Sequence, residues 1–400
     1  MLNKDGIREL AYVVKINDIK PIVGSDNCEA AIVGGWKVMV RKETFKPGDL
    51  AVYFEIDSHV DTSRPEFAFL ESKHGKIKTQ KYTFGGKNKE GFYSQGLLMH
   101  FNDFGWENDK YNLGDFLTKE LNVTYADPED NKRKMSSGDK YKKMASRHPK
   151  LFKNLIIKKI YKTKIGKKIL FLFFGKKSDK KEDFPYWVVK TDEERIQNLQ
   201  DRIPEFNNEK WIATEKIDGT STTFTIHRKK HNKYEYAVCS RNVRMTNSKN
   251  GGYYDNNVYT EMSDKYNMES ILFDMLSRAY TCDYVTIQGE TYGEGVQKRN
   301  YHSKDHKLAI FNVIFGQDNG KTMRLNPVEM KVLLDLYNLP CVPIIAENIE
   351  LPKTCDEILA MANGKSQFDD DLREGIVFRN YDATKSFKAV DNNFLVKYHG

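Results

Sequence analysis

The sequence is poor in cysteine, and the five present (Cys28, Cys239, Cys282, Cys341 and Cys355) are far apart and odd in number. No two of them have the C-x-x-C spacing that a zinc site or redox motif needs, so they are expected to be reduced core thiols of an intracellular, soluble protein. Long hydrophobic runs are also lacking. The longest, Ile169 to Phe174, is far too short to cross a bilayer. Met1-Leu-Asn-Lys-Asp5 has no apolar stretch behind a basic cap, so no secretory signal is expected. No repeat of fixed period is present. Nor does one charge dominate: a formal balance of +8 with 30% charged residues suits a polyanionic partner without requiring one.

What is present exceeds a single core. Four hundred residues, 39% hydrophobic and 12% aromatic, predict two domains with connecting material. From Ala11 to about Phe116, the runs Ala11–Ile16, Ala30–Val33, Trp36–Val40 and Leu50–Ile56 are broken by Gly34-Gly35 and Lys46-Pro47-Gly48-Asp49. This pattern predicts a small antiparallel barrel or sandwich, either an OB-like nucleic-acid-binding barrel or a plain scaffold. Between about Ala126 and Asp183 lysine becomes dense, as in Lys132-Arg133-Lys134, Lys142-Lys143 and Lys158-Lys159, while Leu151, Phe152, Leu155, Ile156 and Ile160 recur at helical spacing. A basic, partly helical connector is expected there, serving either as a solvated linker or as an RNA contact. From Phe184 onward the chain reads as mixed α and β. Strands are predicted at Trp211–Glu215, Thr222–Ile226, Tyr284–Gln288, Leu308–Phe315 and Gly375–Arg379. Helices are predicted from the stripe Met268, Ile271, Leu272, Met275 and Leu276, after Asn326-Pro327, and at the capping-box spacing Thr354 to Glu357. The expected division is 1–125, 126–183 and 184–400.

The chemistry-bearing signal begins at Thr214-Glu-Lys-Ile-Asp-Gly-Thr-Ser221, where Lys216 follows an apolar strand and precedes the turn pair Asp218-Gly219. Taken alone, this pattern is as readily a surface turn with an exposed lysine. More follows in order: Arg241 in Cys239-Ser-Arg-Asn242, Glu290 ending Ile287-Gln-Gly-Glu290, Phe311, Glu374 in Arg373-Glu-Gly-Ile-Val-Phe-Arg379, then Lys388 and Lys397. Each has an ordinary structural explanation by itself. Phe311 fits a core aromatic, Glu290 and Glu374 fit salt-bridge partners, and Lys388 and Lys397 fit solvated strand residues. Their joint order is much harder to reach by chance.

In that order these residues resemble the six-motif covalent nucleotidyltransferase superfamily, which contains DNA ligases, RNA ligases and mRNA capping enzymes. Lys46-Pro-Gly-Asp-Leu-Ala-Val-Tyr53, Gly91-Phe-Tyr-Ser-Gln-Gly-Leu-Leu98 and the segment Phe184 to Asn198 extend the likeness to RNA ligases whose OB domain comes first. The resemblance implies an α+β fold: an N-terminal OB-like β-barrel, then a C-terminal nucleotidyltransferase (ATP-grasp-like adenylation) domain of antiparallel sheets with flanking helices. DNA ligases and capping guanylyltransferases, the alternatives, usually carry their OB domain after the last motif. Here the barrel lies first and only two residues follow Tyr398.

The resemblance further implies ATP as cofactor with Mg²⁺ or Mn²⁺, and as partner RNA with 5′-phosphate and 3′-OH ends in a nicked duplex, handled by a monomer away from membranes. Lys216 would attack the ATP α-phosphate, AMP would pass to the RNA 5′-phosphate, and the 3′-hydroxyl would displace it. Arg241 and Lys388, with Arg195 and Lys397, would meet the phosphates. Glu374, Glu290 and Asp218 would hold the metal, Glu290 alternatively contacting the ribose. Phe311 would stack on adenine, Glu215 would read the base through its backbone or carboxylate, and Gly219 would complete the nucleotide-binding turn. A lysine amine attacks only when neutral and ordinarily titrates at about 10.4. Lys216 is therefore expected to be depressed by partial burial and nearby cations. On the barrel, Arg41, Lys76 and Lys78 are either RNA-guiding or merely scattered surface residues. A non-catalytic RNA-binding protein on a ligase scaffold is the remaining alternative, against which the intact Lys216, Asp218, Gly219, Glu290, Glu374 and Lys388 argue.

Overall fold

The computed structural model describes residues 1–4, 6–84, 91–107, 109–125, 157, 160, 163, 166, 170, 184–190, 192–245 and 257–400. The chain forms two compact units, Met1–Tyr125 with Glu182–Gly400, and Ala126–Lys181. The basic connector and the helix expected from Leu151 to Ile160 fall in the second unit, almost wholly outside the described residues.

The N-terminal part is built of short antiparallel strands. Ala11–Lys15, Leu50–Phe54 and Leu97–Met99 form one sheet with Leu50–Phe54 in the centre, and Asp18–Pro21, Cys28–Val33 and Trp36–Arg41 form another. The first strand reads as a continuous apolar run because both of its faces are covered. Tyr12 and Val14 point into a core with Trp36, Val38 and Tyr53, whereas Ala11 and Val13 join Val52, Phe54, Phe67 and Phe101 on the other side. Trp36–Arg41 alternates instead, burying Trp36, Val38 and Val40 while the residues between them stay at least partly exposed.

The C-terminal part contains two sheets. A six-stranded antiparallel sheet is centred on Thr220–Lys229, Tyr284–Tyr292 and Lys307–Gly316, and a four-stranded one runs Ile344–Ile349, Trp211–Lys216, Gly375–Asn380, Ser386–Val390. Helices Val258–Lys265 and Met268–Arg278 cover the larger sheet, the latter burying Met268, Leu272, Met275 and Leu276, four of the five residues of its stripe. Each such side chain is worth roughly 1.5–3 kcal/mol. The opposite face is polar and is closed by the segment Phe184–Val189, where Trp187 Nε1 donates to Thr225 Oγ1 (3.0 Å) and Gln288 Nε2 to the Val189 carbonyl (3.0 Å). The Asn326 and Thr354 caps form as the sequence predicts, both with a complete capping box.

The two parts meet at Asn198. Its side-chain oxygen accepts from Trp36 Nε1 (2.6 Å) and the Tyr12 hydroxyl (3.2 Å), and its amide donates to Glu55 Oε1 (2.6 Å) and Glu194 Oε1 (2.8 Å). Gly35 is required for this approach, since a Cβ there would lie 2.7 Å from Gln197 Cα. All five cysteines are free. Among the described residues no helix is long and apolar enough to cross a membrane.

Candidate active site

Lys216 ends the strand Trp211–Lys216 opposite Gly375, which brings its amine to the carboxylate just before that glycine: Nζ lies 2.6 Å from Glu374 Oε1. The chain then turns through Asp218-Gly219 onto the next strand. A Cβ on Gly219 would lie 2.3 Å from the Thr291 carbonyl oxygen, so only glycine lets the turn rest on Glu290–Thr291. The Asp218 N–H donates to the Tyr301 hydroxyl (2.7 Å), and Ser221 pairs with Glu290 across the sheet. Three carboxylates, Asp218, Glu290 and Glu374, thus surround the Lys216 amine.

Beyond Lys216 the sign of charge reverses. Lys388, buried on Ser386–Val390, bridges in parallel to Arg195 and donates its backbone N–H to the Glu194 carbonyl (2.7 Å). Arg195 pairs with Asp57 of the barrel (3.0 Å), Arg241 pairs with Asp192 and lies over the Tyr125 ring, and Arg8 completes the group. Burial, together with Arg8, Arg195 and Lys216, pulls the Lys388 amine down to about 7. Asp192 is held well below the usual carboxylate range: burial opposes the shift, but Lys388, Arg241 and Arg8 overcome it. Arg8 is held in turn by Glu55 (3.4 Å) and Glu194 (3.9 Å), which leaves Lys388 as the cation of this cluster without a carboxylate ion pair among the described residues, and such a gathering of buried cations suits a polyphosphate.

The Lys216 amine departs from expectation. Burial is the largest single influence and lowers it, but Glu374, Glu290 and Asp218 outweigh burial and hold the ammonium above its ordinary value. Its immediate shell is acidic, and that decides the direction of the shift. The carboxylates carry the reciprocal strain. Burial pushes Glu290 up to about 8, with Glu374 and Asp218 adding to the shift against Lys216, and Glu374 is also raised by burial. Asp218 Oδ2 and Glu374 Oε2 are buried without a hydrogen-bond partner. Such oxygen atoms fit a hard divalent cation, although among the described residues no three acidic, histidine or cysteine side chains converge as a ready-made cage. A cation here would take one or two carboxylates and complete its shell with water and phosphate.

The remaining expected residues divide. Phe311 is the extra residue of a β-bulge on Lys307–Gly316, where Gln288 pairs with Asn312 and Gly289 with Ile310. Its carbonyl accepts from Arg379 Nη1 (3.2 Å), a guanidinium held in turn by Glu193 (3.3 Å), and its ring is half-buried. Bulges of this kind re-aim a side chain. The Glu215 carboxylate accepts from Ser366 Oγ (2.6 Å) and the Gln367 N–H (2.8 Å) and so clamps a loop. Lys397 departs from its expected role. It sits on a C-terminal helix, Asn392–His399, is half exposed, and pairs with Asp371 (2.7 Å) instead of joining Lys388. Three participants were missed by sequence reasoning. Arg8 belongs to no motif, Asp192 lies in the Phe184–Asn198 segment but carries no role there, and His399, whose Nε2 is 3.5 Å from Asp218 Oδ1, lies past the last motif. Their only sequence signal is charge near segments that pack together.

Residues 10–100 match an OB-fold domain family, and residues 209–399 match the RNA ligase family. The C-terminal part of the chain is an RNA ligase domain. The likeness extends over whole chains. A structure of Naegleria gruberi RNA ligase with PPi is 26% identical, with a TM-score of 0.70 over 98% of this chain and 99% of that one. A lysine-to-alanine mutant of the same ligase with ATP and Mn matches at the same values, and an apo mutant is 27% identical with the same TM-score and coverage. The sequence matches no curated protein. The OB-fold domain thus lies ahead of the RNA ligase domain.

Proposed function

We propose that this RNA ligase uses ATP and a divalent metal to join 3′-OH and 5′-phosphate RNA ends, acting at nicks in duplex RNA through a lysyl-adenylate and an RNA-adenylate. The observation that carries the proposal is the position of Lys216, whose amine lies on the border between an acidic cluster and a buried basic pocket. Nucleotidyl transfer needs that border: cation on one side, polyphosphate on the other, nucleophile between. ATP and Mn accompany the Naegleria ligase, and the donor set here suits both.

In the first step the neutral Lys216 amine attacks the ATP α-phosphorus, a phosphoramidate N–P bond forms and pyrophosphate leaves. Glu374 and Asp218, with Glu290 beside them, would hold a divalent cation, whose positive charge would offset the carboxylates' hold on the ammonium and polarise the α-phosphate. Burial already favours the neutral amine. Lys388, Arg195, Arg8 and Arg241 bind the phosphates and meet negative charge developing on the nonbridging oxygens. Phe311 offers its ring to adenine from the bulge that Arg379 supports. In the second step an RNA 5′-phosphate oxygen attacks the same phosphorus and Lys216 leaves, regaining a proton. In the third the 3′-hydroxyl attacks the RNA 5′-phosphorus and AMP departs.

Every proposed group comes from one chain, which supports action as a monomer, and the five free thiols support a reducing, intracellular setting. We divide the chain into domains at 1–125, 126–183 and 184–400. The test is a chase: enzyme labelled from α-labelled ATP is freed of nucleotide and given nicked duplex RNA. The expected result is transfer of label to the RNA 5′ end, then its release as AMP with sealing. Label that remains on the protein with every nicked and single-stranded RNA supplied would overturn the proposal.

A further inference from the structure

Three lysines that the mechanism does not use lie beside the site. Lys76 and Lys78 come from the barrel, on and just after the short strand Lys76–Ile77, and Lys298 comes from the ligase-domain loop after Tyr292. The last residues of the C-terminal helix tie them to the active site. Lys78 Nζ donates to the main-chain oxygen of Gly400 (3.1 Å), His399 lies 3.5 Å from Asp218, and the Tyr398 ring faces the guanidinium of Arg299, the neighbour of Lys298, at 5.6 Å. The loop carrying Lys298 is fastened to the nucleophile motif by Gln297 Nε2, which donates to the Gly219 carbonyl (3.0 Å). On the barrel side, the Asp57 N–H donates to the Ile77 carbonyl (2.8 Å) while the Asp57 carboxylate holds Arg195. Both arms of the cluster are therefore anchored to residues of the nucleotide pocket.

Among the described residues none of the three lysines forms an ion pair with an aspartate or glutamate side chain. They also oppose one another: Lys78 is held below its ordinary value by burial first, then by Lys298 and Lys76, with Asp57 pulling the other way. Like charges drawn together from two domains with no acidic side chain paired to them raise the energy of the free protein, and a phosphate chain relieves them.

We infer that Lys76, Lys78 and Lys298 form a composite clamp, drawn from both domains, for the backbone phosphates of the RNA strand next to the joint. Contacts of this kind fix the register of the nucleic acid without reading its sequence. They also make the OB domain part of the substrate site, so that a single RNA strand must engage both domains at once. The inference rests on the ligase reading for the identity of the polyanion.

The test measures binding of a fluorescent nicked RNA duplex without ATP at several salt concentrations, using the full chain, a Lys298→Gln variant and a Lys76→Gln/Lys78→Gln/Lys298→Gln triple variant. Removing one lysine–phosphate pair flattens the log-affinity against log-salt slope by about 0.7–0.9. The triple variant is expected to lose about tenfold or more in affinity at low salt, with a slope shallower by roughly two. Lys298→Gln, an exposed change that leaves the fold alone, should lose part of both. AMP uptake from ATP should be unchanged in both variants. Unaltered affinity and slope would overturn the clamp, and so would loss of AMP uptake with RNA binding intact, because the lysines would then serve the nucleotide. A wild-type chain that takes up no AMP yet binds RNA with the expected slope change would contradict the ligase reading and leave the clamp standing.

Discussion

The two halves of the active site are built in different ways. The acidic half, around Lys216, comes from adjacent strand ends: Lys216 opposite Gly375, Asp218-Gly219 resting on Glu290–Thr291, and Glu374 next to the pairing. The basic half is gathered from distant segments, with Arg8 and Asp57 from the barrel, Asp192 and Arg195 from the stretch before the ligase domain's first strand, Arg241 from a strand end, and Lys388. Backbone pairing fixes the first half and long-range charge compensation fixes the second. Nucleophile geometry should therefore tolerate changes at the domain junction, whereas phosphate binding should not.

The largest effect that would break this contrast is at Glu374. Glu374→Gln keeps the shape and removes the charge, and is expected to slow AMP uptake by about 10²–10³-fold in single-turnover measurements. Lys388→Ala should cost about 10²-fold in the same assay, from loss of a buried phosphate-binding cation. Arg8→Lys, far from the ligase motifs in sequence but adjacent to them in the fold, should raise the KM for ATP about tenfold with a smaller change in kcat, since a point charge replaces a fork of donors. A result at Arg8 indistinguishable from wild type would remove the barrel from the nucleotide site.

Smaller effects sharpen the comparison at the junction. Glu55 is buried between the domains and its folded value is about 2, burial being overcome chiefly by Arg8, against an ordinary 4.5. A carboxylate lowered on folding contributes stability that is fully present above 4.5 and lost as pH falls through 2. Acid unfolding followed by circular dichroism should show this loss, on the order of 3 kcal/mol, and Glu55→Gln should lack that limb while being less stable at neutral pH. Smallest of all, Lys397→Ala should change AMP uptake by less than about threefold, because its partner is the loop carboxylate Asp371 and exposed pairs contribute little.

The same contrast explains what was legible in the sequence. The strand carrying Lys216, the Met268–Leu276 stripe, the Asn326-Pro327 helix start and the Thr354–Glu357 capping box declare themselves through local pattern, and the structure has each of them. Other elements are hidden. The sequence suggests a strand around Lys397, yet Asn392–His399 is a helix: Asp391 caps it by accepting from the Asn393 N–H, and Phe394 meets Tyr398 one turn on with ring centroids 4.7 Å apart. An acid-capped start with an aromatic pair at i, i+4 is the available helix signal. Glu215 is a loop clamp because Ser366 and Gln367 reach it from 151 and 152 positions away, a contact no local pattern encodes. Arg8 is illegible for the same reason: its role follows from the packing of the barrel on Asn198 and Glu194.

The most direct measurement of the central claim is the mass of the chain after incubation with ATP and Mn²⁺ or Mg²⁺, with peptide mapping of the modified residue, beside Lys216→Ala. The expected result is a gain of one AMP, located on Lys216 and absent from the variant. No gain in the wild type, or the same gain in Lys216→Ala, would contradict it.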